Sequence, residues 1–262
     1  MRAITSQSNS KLKEFTLLCR DRSERDRRNV CVLDGLKLCR DAVRNGVILK
    51  QLWLSDSSSE KYSSVLEPVI SASEEVFIVT DSAAKKFSET VSPQGVMAMA
   101  ERPENVSAGR LTETDRVLGL CGVQNPENVG GAIRTAAALG FKNIVVSHDC
   151  ADPWSPRSVR AGAGTQLNCQ ILITDDFLTT VKELRRDGFR TIASALHMDS
   201  VSVVESKRDG KIFLAVGSEG SGLPEDVINA CSEIIHIPLD EGVESLNAAA
   251  AAAIMMWELR KQ

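Results

Sequence analysis

Six short apolar runs dominate the second half of the chain: "RVLGLCGV", "NIVVSHD", "LNCQILIT", "RTIASAL", "KIFLAVGSE" and "EIIHIPL". They are too short for helices and lack the polar alternation of a half-solvated strand, so each reads as a strand buried on both faces. Helical segments stand between them. "NVGGAIRTAAALG" ends at a glycine C-cap, Gly140, and "SPRSVRAGAG" is a helical loop segment. "DFLTTVKELRRDG" carries Asp175 or Asp176 near its cap, and the alanine-rich segment after Asn247 forms the last helix. Strand and helix in alternation predict an α/β domain built on a mostly parallel sheet.

The N-terminal third alternates less regularly. A helix capped by Asn9 or Ser10 carries Leu12, Phe15 and Leu18 on one face, and "NVCVLDG" is a strand. "LKLCRDAVRNG" is a helix ending near Gly46. "LKQLWLSD", "EVFIVTD" and "GVMAMAERP" are strands, with helices over "KYSSVLEPVI" and "SAAKKFSET". The polar stretch "RPENVSAGRLTETD" separates the halves. The expected organisation is a small α/β domain over 1–105, a linker over 106–114, and the parallel-sheet domain over 115–262.

Composition narrows the function classes. Of the 262 residues, 43% are hydrophobic but only 4% aromatic, which predicts cores of Val, Ile, Leu and Ala. The net charge is −4, yet residues 1–50 hold 12 Lys/Arg against 6 Asp/Glu. That asymmetry fits either an anionic partner at the N-terminal end or a solvated helix face. Seven cysteines without a CxxC pair, and three scattered histidines, argue against a disulfide framework and a metal site, and for reduced thiols in a cytosol. No apolar leader opens the chain and no apolar run reaches membrane-spanning length, so neither secretion nor a membrane is expected.

Three polar loops follow predicted strands, where open α/β sheets bind ligands. In "QNPENVGGAIRTAAALG", Gly130-Gly131 opens a helix. Asn128 is a plain N-cap or a site residue, and Arg134 a surface ion pair or a site residue. In "AVGSEGSGLPEDV", Gly217, Gly220 and Gly222 surround Glu219, a turn residue or a buried-site carboxylate. In "IPLDEGVESLNAAAAAA", Ser245 and Asn247 are natural caps for the alanine helix. Neither G-x-G-x-x-G nor G-x-x-x-x-G-K-[ST] occurs, which excludes a P-loop NTPase and fits an NAD-dependent oxidoreductase poorly.

In order and spacing, "NPENVGGAIRTAAALG", "VGSEGSGLP" and "IPLDEGVESLNAAAAAAI" resemble the three motifs of the SpoU/TrmH class of SPOUT RNA 2′-O-ribose methyltransferases, over about 115–260. Asn125 departs from the pattern, where an acidic residue is common. The N-terminal part resembles, more loosely, an L30e-like RNA substrate-binding domain. The resemblance implies a trefoil knot and S-adenosylmethionine held by backbone near Leu196, Gly217, Glu219, Gly220, Ile237, Leu239, Leu246 and Asn247. It also implies a homodimer formed through the C-terminal domain. As catalytic residues it implies Arg134, Asn128, Glu219, Ser245 and Asn247, with Glu219 orienting Arg134. Arg134 then serves as the acceptor's base or as a clamp on its phosphate, the second being easier for a guanidinium that stays protonated.

The implied activity is 2′-O-methylation of structured RNA, ribosomal RNA first. A transfer-RNA methyltransferase and a non-catalytic RNA- or ribosome-binding protein are the alternatives. Residues 108–262 hold 15 Lys/Arg and 20 Asp/Glu, so phosphate contacts are expected from Lys11, Lys13, Arg25, Arg27 and Arg28 instead. Interleaved Asp21, Glu24 and Asp26 offer those arginines intrahelical partners.

Overall fold

A computed structural model describes residues 1–6, 8–88, 90, 92–243 and 245–261. The chain divides into two compact units. One is Met1–Glu104 with Trp154–Leu167, the other Asn105–Pro153 with Asn168–Gln262.

The first unit runs β1 (Arg2–Ile4), α1 (Ser10–Arg20), α2 (Arg22–Arg28), β2 (Val30–Asp34), α3 (Leu36–Arg44), β3 (Leu49–Ser55), α4 (Asp56–Lys61), α5 (Ser63–Ser71), β4 (Ser73–Val79), α6 (Asp81–Ala84) and β5 (Val96–Glu101). Its five strands stand in the order β1-β4-β3-β5-β2, with β5 antiparallel to both neighbours. Asn9 caps α1 by accepting from the Lys11 amide, and Gly46 takes φ +81° just past the end of α3. The expected helix over "SAAKKFSET" is the single turn α6; Glu89, inside that stretch, lies outside the described residues.

Few aromatics suggested an aliphatic core, but here they are concentrated. Trp53 stacks on Phe15 and Phe77, with centroids 4.9 and 4.4 Å away, and Phe87 closes edge-on against Phe15 and Trp53. Such pairs add about 0.5–1.5 kcal/mol each beyond area burial. A low average composition does not reveal where the few rings gather.

The second unit opens with α7 (Ala108–Leu111), followed by β6 (Arg116–Leu120), α8 (Pro126–Ala138) and β7 (Asn143–Ser147). Helix α9 (Pro156–Ala161) belongs to the segment that groups with the first unit. Then come β8 (Gln170–Thr174), α10 (Phe177–Arg186), β9 (Arg190–Ser194), β10 (Val201–Ser202), β11 (Ile212–Val216), α11 (Glu225–Ala230), β12 (Glu233–His236) and α12 (Ala248–Leu259). Seven strands in the order β10-β12-β9-β11-β6-β7-β8 pair in parallel throughout. All residues of β6, β7 and β11 are buried, as expected of strands covered on both faces. Within 106–114, α7 buries Leu111 completely in this unit's core. The two-residue strand β10 carries too little pattern to be predicted.

The alanine helix lies against a second helix. α12 packs on α8, and a Cβ built at Gly131 would sit 3.5 Å from the Ala249 Cβ. Gly130 and Gly131 lie inside α8 rather than at its start, because the helix begins at Pro126 with Asn125 as its cap. Each interior glycine costs about 1 kcal/mol of helix propensity, and at Gly131 an added Cβ would make only ordinary contact with Ala249.

Candidate active site

Three loops leave the C-terminal ends of β6, β11 and β12. The second is the tightest. Ser218 N donates to Gly222 O at 3.2 Å and Gly222 N returns a bond to Ser218 O at 3.0 Å, so Glu219, Gly220 and Ser221 form the tip. Gly222 adopts φ +67°. A Cβ at Gly217 would lie 2.2 Å from the Gly222 carbonyl carbon, so glycine is required there.

Glu219 is the hub of the three loops. Its Oε1 accepts from Asn128 Nδ2 at 2.6 Å, Asn247 Nδ2 at 2.6 Å and the Ala248 amide at 3.1 Å. Asn247 Nδ2 also donates to Asn128 Oδ1 at 2.9 Å, while its Oδ1 caps α12 by accepting from Ala249 N and Ala250 N. Both amide orientations follow from this pattern, since the reverse would set oxygen against oxygen. Asn128 is therefore not the N-cap of α8. Asn125 fills that role by accepting from Glu127 N at 2.9 Å, and Asn128 is buried with its amide in the network.

Two cavities flank the hub. The first, about 520 Å³, is lined by Leu196, Gly217, Glu219, Ile237, Leu239, Ser245 and Leu246 among the expected residues. Sequence reasoning missed Ser194, Ser218, His236 and Met255 on the same wall. His236 ends β12 and directly precedes Ile237, and that position was the only signal available. Its Nδ1 stands 3.0 Å from Ser200 Oγ, which also donates to His197 O at 2.6 Å. With that hydroxyl proton committed, Nδ1 carries the hydrogen toward Ser200. Leu196 is 84% exposed and stands at the rim. Gly220 lines the second cavity, about 470 Å³, with Asn125, Asn128, Asp149 and Glu219.

Arg134 stands apart from both cavities. It is exposed on α8, and among the described residues it makes no hydrogen bond or ion pair. The expected Glu219–Arg134 pair is absent: Arg134 is exposed on α8 and lines neither cavity that Glu219 borders, while Glu219 Oε1 is taken by Asn128, Asn247 and the start of α12. Near the second cavity, burial pushes the Cys121 thiol up to about 11, with the Asp149 charge adding to it. Burial also raises Cys150, against a hydrogen bond with Ser147.

The expected phosphate contacts fare unevenly. Arg25 is 3% exposed and donates to Leu18 O at 2.8 Å, so it fastens α2 to α1 and cannot reach a phosphate. Arg27 is held by Glu24 at 2.6 Å, which raises its pKa and lowers that of Glu24. Arg28 pairs with Glu14 and Glu24. Lys11 is bound to Glu75 at 2.7 Å over the Phe77 ring. Lys13 is exposed and carries no ion pair among the described residues.

An all-parallel sheet whose carboxyl-end loops enclose a nucleoside-sized, mostly apolar cavity beside a polar hub defines an α/β domain built to hold a small organic ligand. Comparison with known proteins makes the class specific. Residues 115–257 match the SpoU rRNA methylase family, and residues 9–98 match the MRM3-like substrate binding domain. The chain is 28% identical to the 23S rRNA (guanosine(2553)-2′-O)-methyltransferase RlmP of Bacillus subtilis, over 99% of this chain and 100% of that one. It superposes with TM-score 0.80 and 26% identity on the AdoMet-bound rRNA methyltransferase from Sinorhizobium meliloti, covering 98% of this chain and 96% of that one. The SpoU methyltransferase AviRb from Streptomyces viridochromogenes, at TM-score 0.78 and 22% identity over 96% and 97% of the two chains, shares the fold. The chain belongs to the SpoU rRNA methylase family. It is an RNA methyltransferase.

Proposed function

We propose that this protein methylates a ribose 2′-oxygen in structured ribosomal RNA, using S-adenosylmethionine. The observation that carries this reading is the Asn128–Glu219–Asn247 network, which draws the three family motifs into one hub beside the 520 Å³ cavity. The cavity suits the cofactor. Leu196, Ile237, Leu239, Leu246 and Met255 offer apolar surface, and the obligatory Gly217 lets backbone approach a ligand closely. When bound, S-adenosylmethionine supplies an electrophilic sulfonium methyl.

The chain's own task is alignment, which contributes roughly 7–11 kcal/mol to well-oriented reactions. Glu219 fixes two amides and the start of α12 at once, so the acceptor meets a rigid polar wall. Asn128 Nδ2 retains a second hydrogen, and Glu219 Oε2 is bonded to no described residue, so both are free for the acceptor sugar. Arg134 clamps the neighbouring phosphate, its proton-rich fork staying charged throughout.

The reading extends to assembly and location. The motif segments thread as a trefoil knot, as the family resemblance implies. The protein pairs as a homodimer through α12, which exposes Ile254 and Trp257, and the second copy completes the site around the outlying Arg134. Residues 1–105 form the RNA substrate-binding domain, which Trp154–Leu167 joins, and 115–262 otherwise form the catalytic domain, to whose core the intervening 106–114 adds Leu111; of the expected phosphate contacts, Lys13 carries no ion pair among the described residues. The protein works in the cytoplasm; among the described residues no helix is long and apolar enough to cross a membrane.

The test is direct. Calorimetry should detect S-adenosylhomocysteine binding but no NAD binding. Labelled S-adenosylmethionine should pass its methyl to ribosomal RNA from a strain lacking the gene, and nucleoside analysis should find it on a 2′-oxygen. Label only in transfer RNA, or cofactor binding without transfer, would displace this reading.

A further inference from the structure

The second cavity has a chemistry of its own. It abuts the cofactor cavity, since Ser218 and Glu219 line both, so a nucleotide whose sugar meets the hub can place its base there. A phosphate is disfavoured in the same space, because Asp149 and Glu219 both contribute to its wall. The polar groups on offer are of two kinds. Asp149 is an acceptor-only carboxylate. Ser147 Oγ donates to its Oδ1 and in turn accepts from Gly122 N at 3.0 Å, which ties the carboxylate to the end of β7 and the loop after β6. Oδ2 lies toward Gly122, where a Cβ would be 3.5 Å away; the glycine, at φ +67°, leaves that space open. Asn125 supplies the other kind. Its Oδ1 is spent on capping α8, so its Nδ2 is left as a donor, with no partner among the described residues.

We propose that this cavity receives the base of the acceptor nucleotide and selects guanine, with Asp149 as the specificity-determining residue. The inference rests on the RNA-methyltransferase reading above. A carboxylate pairs side by side with two adjacent donors, and among the four RNA bases only guanine presents them, as N1–H and the N2 amino group. Guanine O6 then faces the Asn125 or Gln124 amide. Uracil would set its O2 or O4 against the carboxylate, and adenine and cytosine offer one donor beside an acceptor. A bidentate pair of this kind discriminates against a wrong base by about ten-fold or more.

The test uses the full-length protein, labelled S-adenosylmethionine and total RNA from cells lacking the gene. Digestion to nucleosides should place the label in 2′-O-methylguanosine. Replacing that guanosine by inosine in a synthetic fragment removes only the N2 amino group. Wild-type kcat/KM should then fall by about ten-fold or more, whereas Asp149→Asn should be slow on both fragments and distinguish them poorly, with unchanged affinity for S-adenosylhomocysteine. Label in another nucleoside, or equal wild-type rates on the two fragments, overturns the guanine assignment and leaves the methyltransferase reading intact. Absence of both transfer and S-adenosylhomocysteine binding overturns the two together.

Discussion

Two side-chain amides, Asn128 and Asn247, and the backbone amide of Ala248 share one oxygen of Glu219, and that arrangement sets what single substitutions do. Glu219→Ala strands the buried Asn128 amide and the start of α12, a loss of about 1–3 kcal/mol for an unsatisfied buried group. Asn128→Ala removes the same bond from the other side. The double variant should therefore be little worse than either single variant in urea unfolding, and summed losses would show that the two act separately. Arg134→Ala should behave differently. Its side chain holds nothing in the fold, so thermal stability and S-adenosylhomocysteine affinity should stay at wild-type values while methyl transfer drops about 100-fold or more. Near-normal turnover would remove Arg134 from the mechanism. Residue types and motif order made these positions legible in the sequence. Their pairing was not, because Glu219 has two amide partners and a guanidinium within the same three motifs, and only the fold decides which it meets. Arg25 illustrates the same limit: its basic neighbours suggested solvent, and one turn of helix phase buried it.

Elements were more legible than contacts. Continuous apolar runs marked the parallel strands, and β6, β7 and β11 are buried throughout, but β8 and β12, read from runs of the same kind, are only partly buried. Helix starts were less clear where several cap-capable residues adjoin, and α8 begins before the glycines rather than at them. The alanine run could equally have reflected helix propensity alone. Its position against α8 separates the two accounts. Ala252 is fully buried and Ala250 is exposed on the same helix. Ala252→Leu should cost about 1–3 kcal/mol by overpacking. Ala250→Leu should change stability by less than about 0.5 kcal/mol, as surface substitutions usually do. Equal thermal shifts for the two would mean that the alanines serve propensity and not close packing.

At the scale of the whole molecule, all seven cysteines are buried. Burial pushes Cys121 and Cys169 up to about 11 and Cys231 to about 12, and raises Cys39 and Cys150 as well. An unfolded thiol ionises near ~8.5. Between that pH and the folded values the unfolded chain sheds protons that the native state keeps. The stabilising contribution is thus complete below about pH 8.5 and is lost as pH rises through the folded pKa range, by up to ~1.4 kcal/mol per pH unit for each thiol. Urea unfolding with reductant present should show lower stability at pH 9.5 than at pH 7.5, and a flat profile would deny these shifts. Assembly gives the last test. α12 presents Ile254 at 41% and Trp257 at 53% exposure on the helix whose other side is buried against α8. Large apolar side chains on a helix that borders the first cavity are suited to a second copy of the same chain. In a two-fold pair the two α12 helices would meet, bringing each α8, with its unpaired Arg134, toward the neighbouring cavity. Wild-type protein should sediment as a dimer. Ile254→Glu with Trp257→Glu should sediment as a folded monomer, since neither side chain is part of the core, and methyl transfer should fall with dimer content. Adding the Arg134→Ala variant to a Glu219→Ala variant discriminates further. If the site is shared between copies, mixed dimers should regain about a quarter to a half of wild-type activity, the fraction set by subunit statistics. A monomeric wild-type protein, or a double-glutamate monomer with full activity, would place the complete site within one chain.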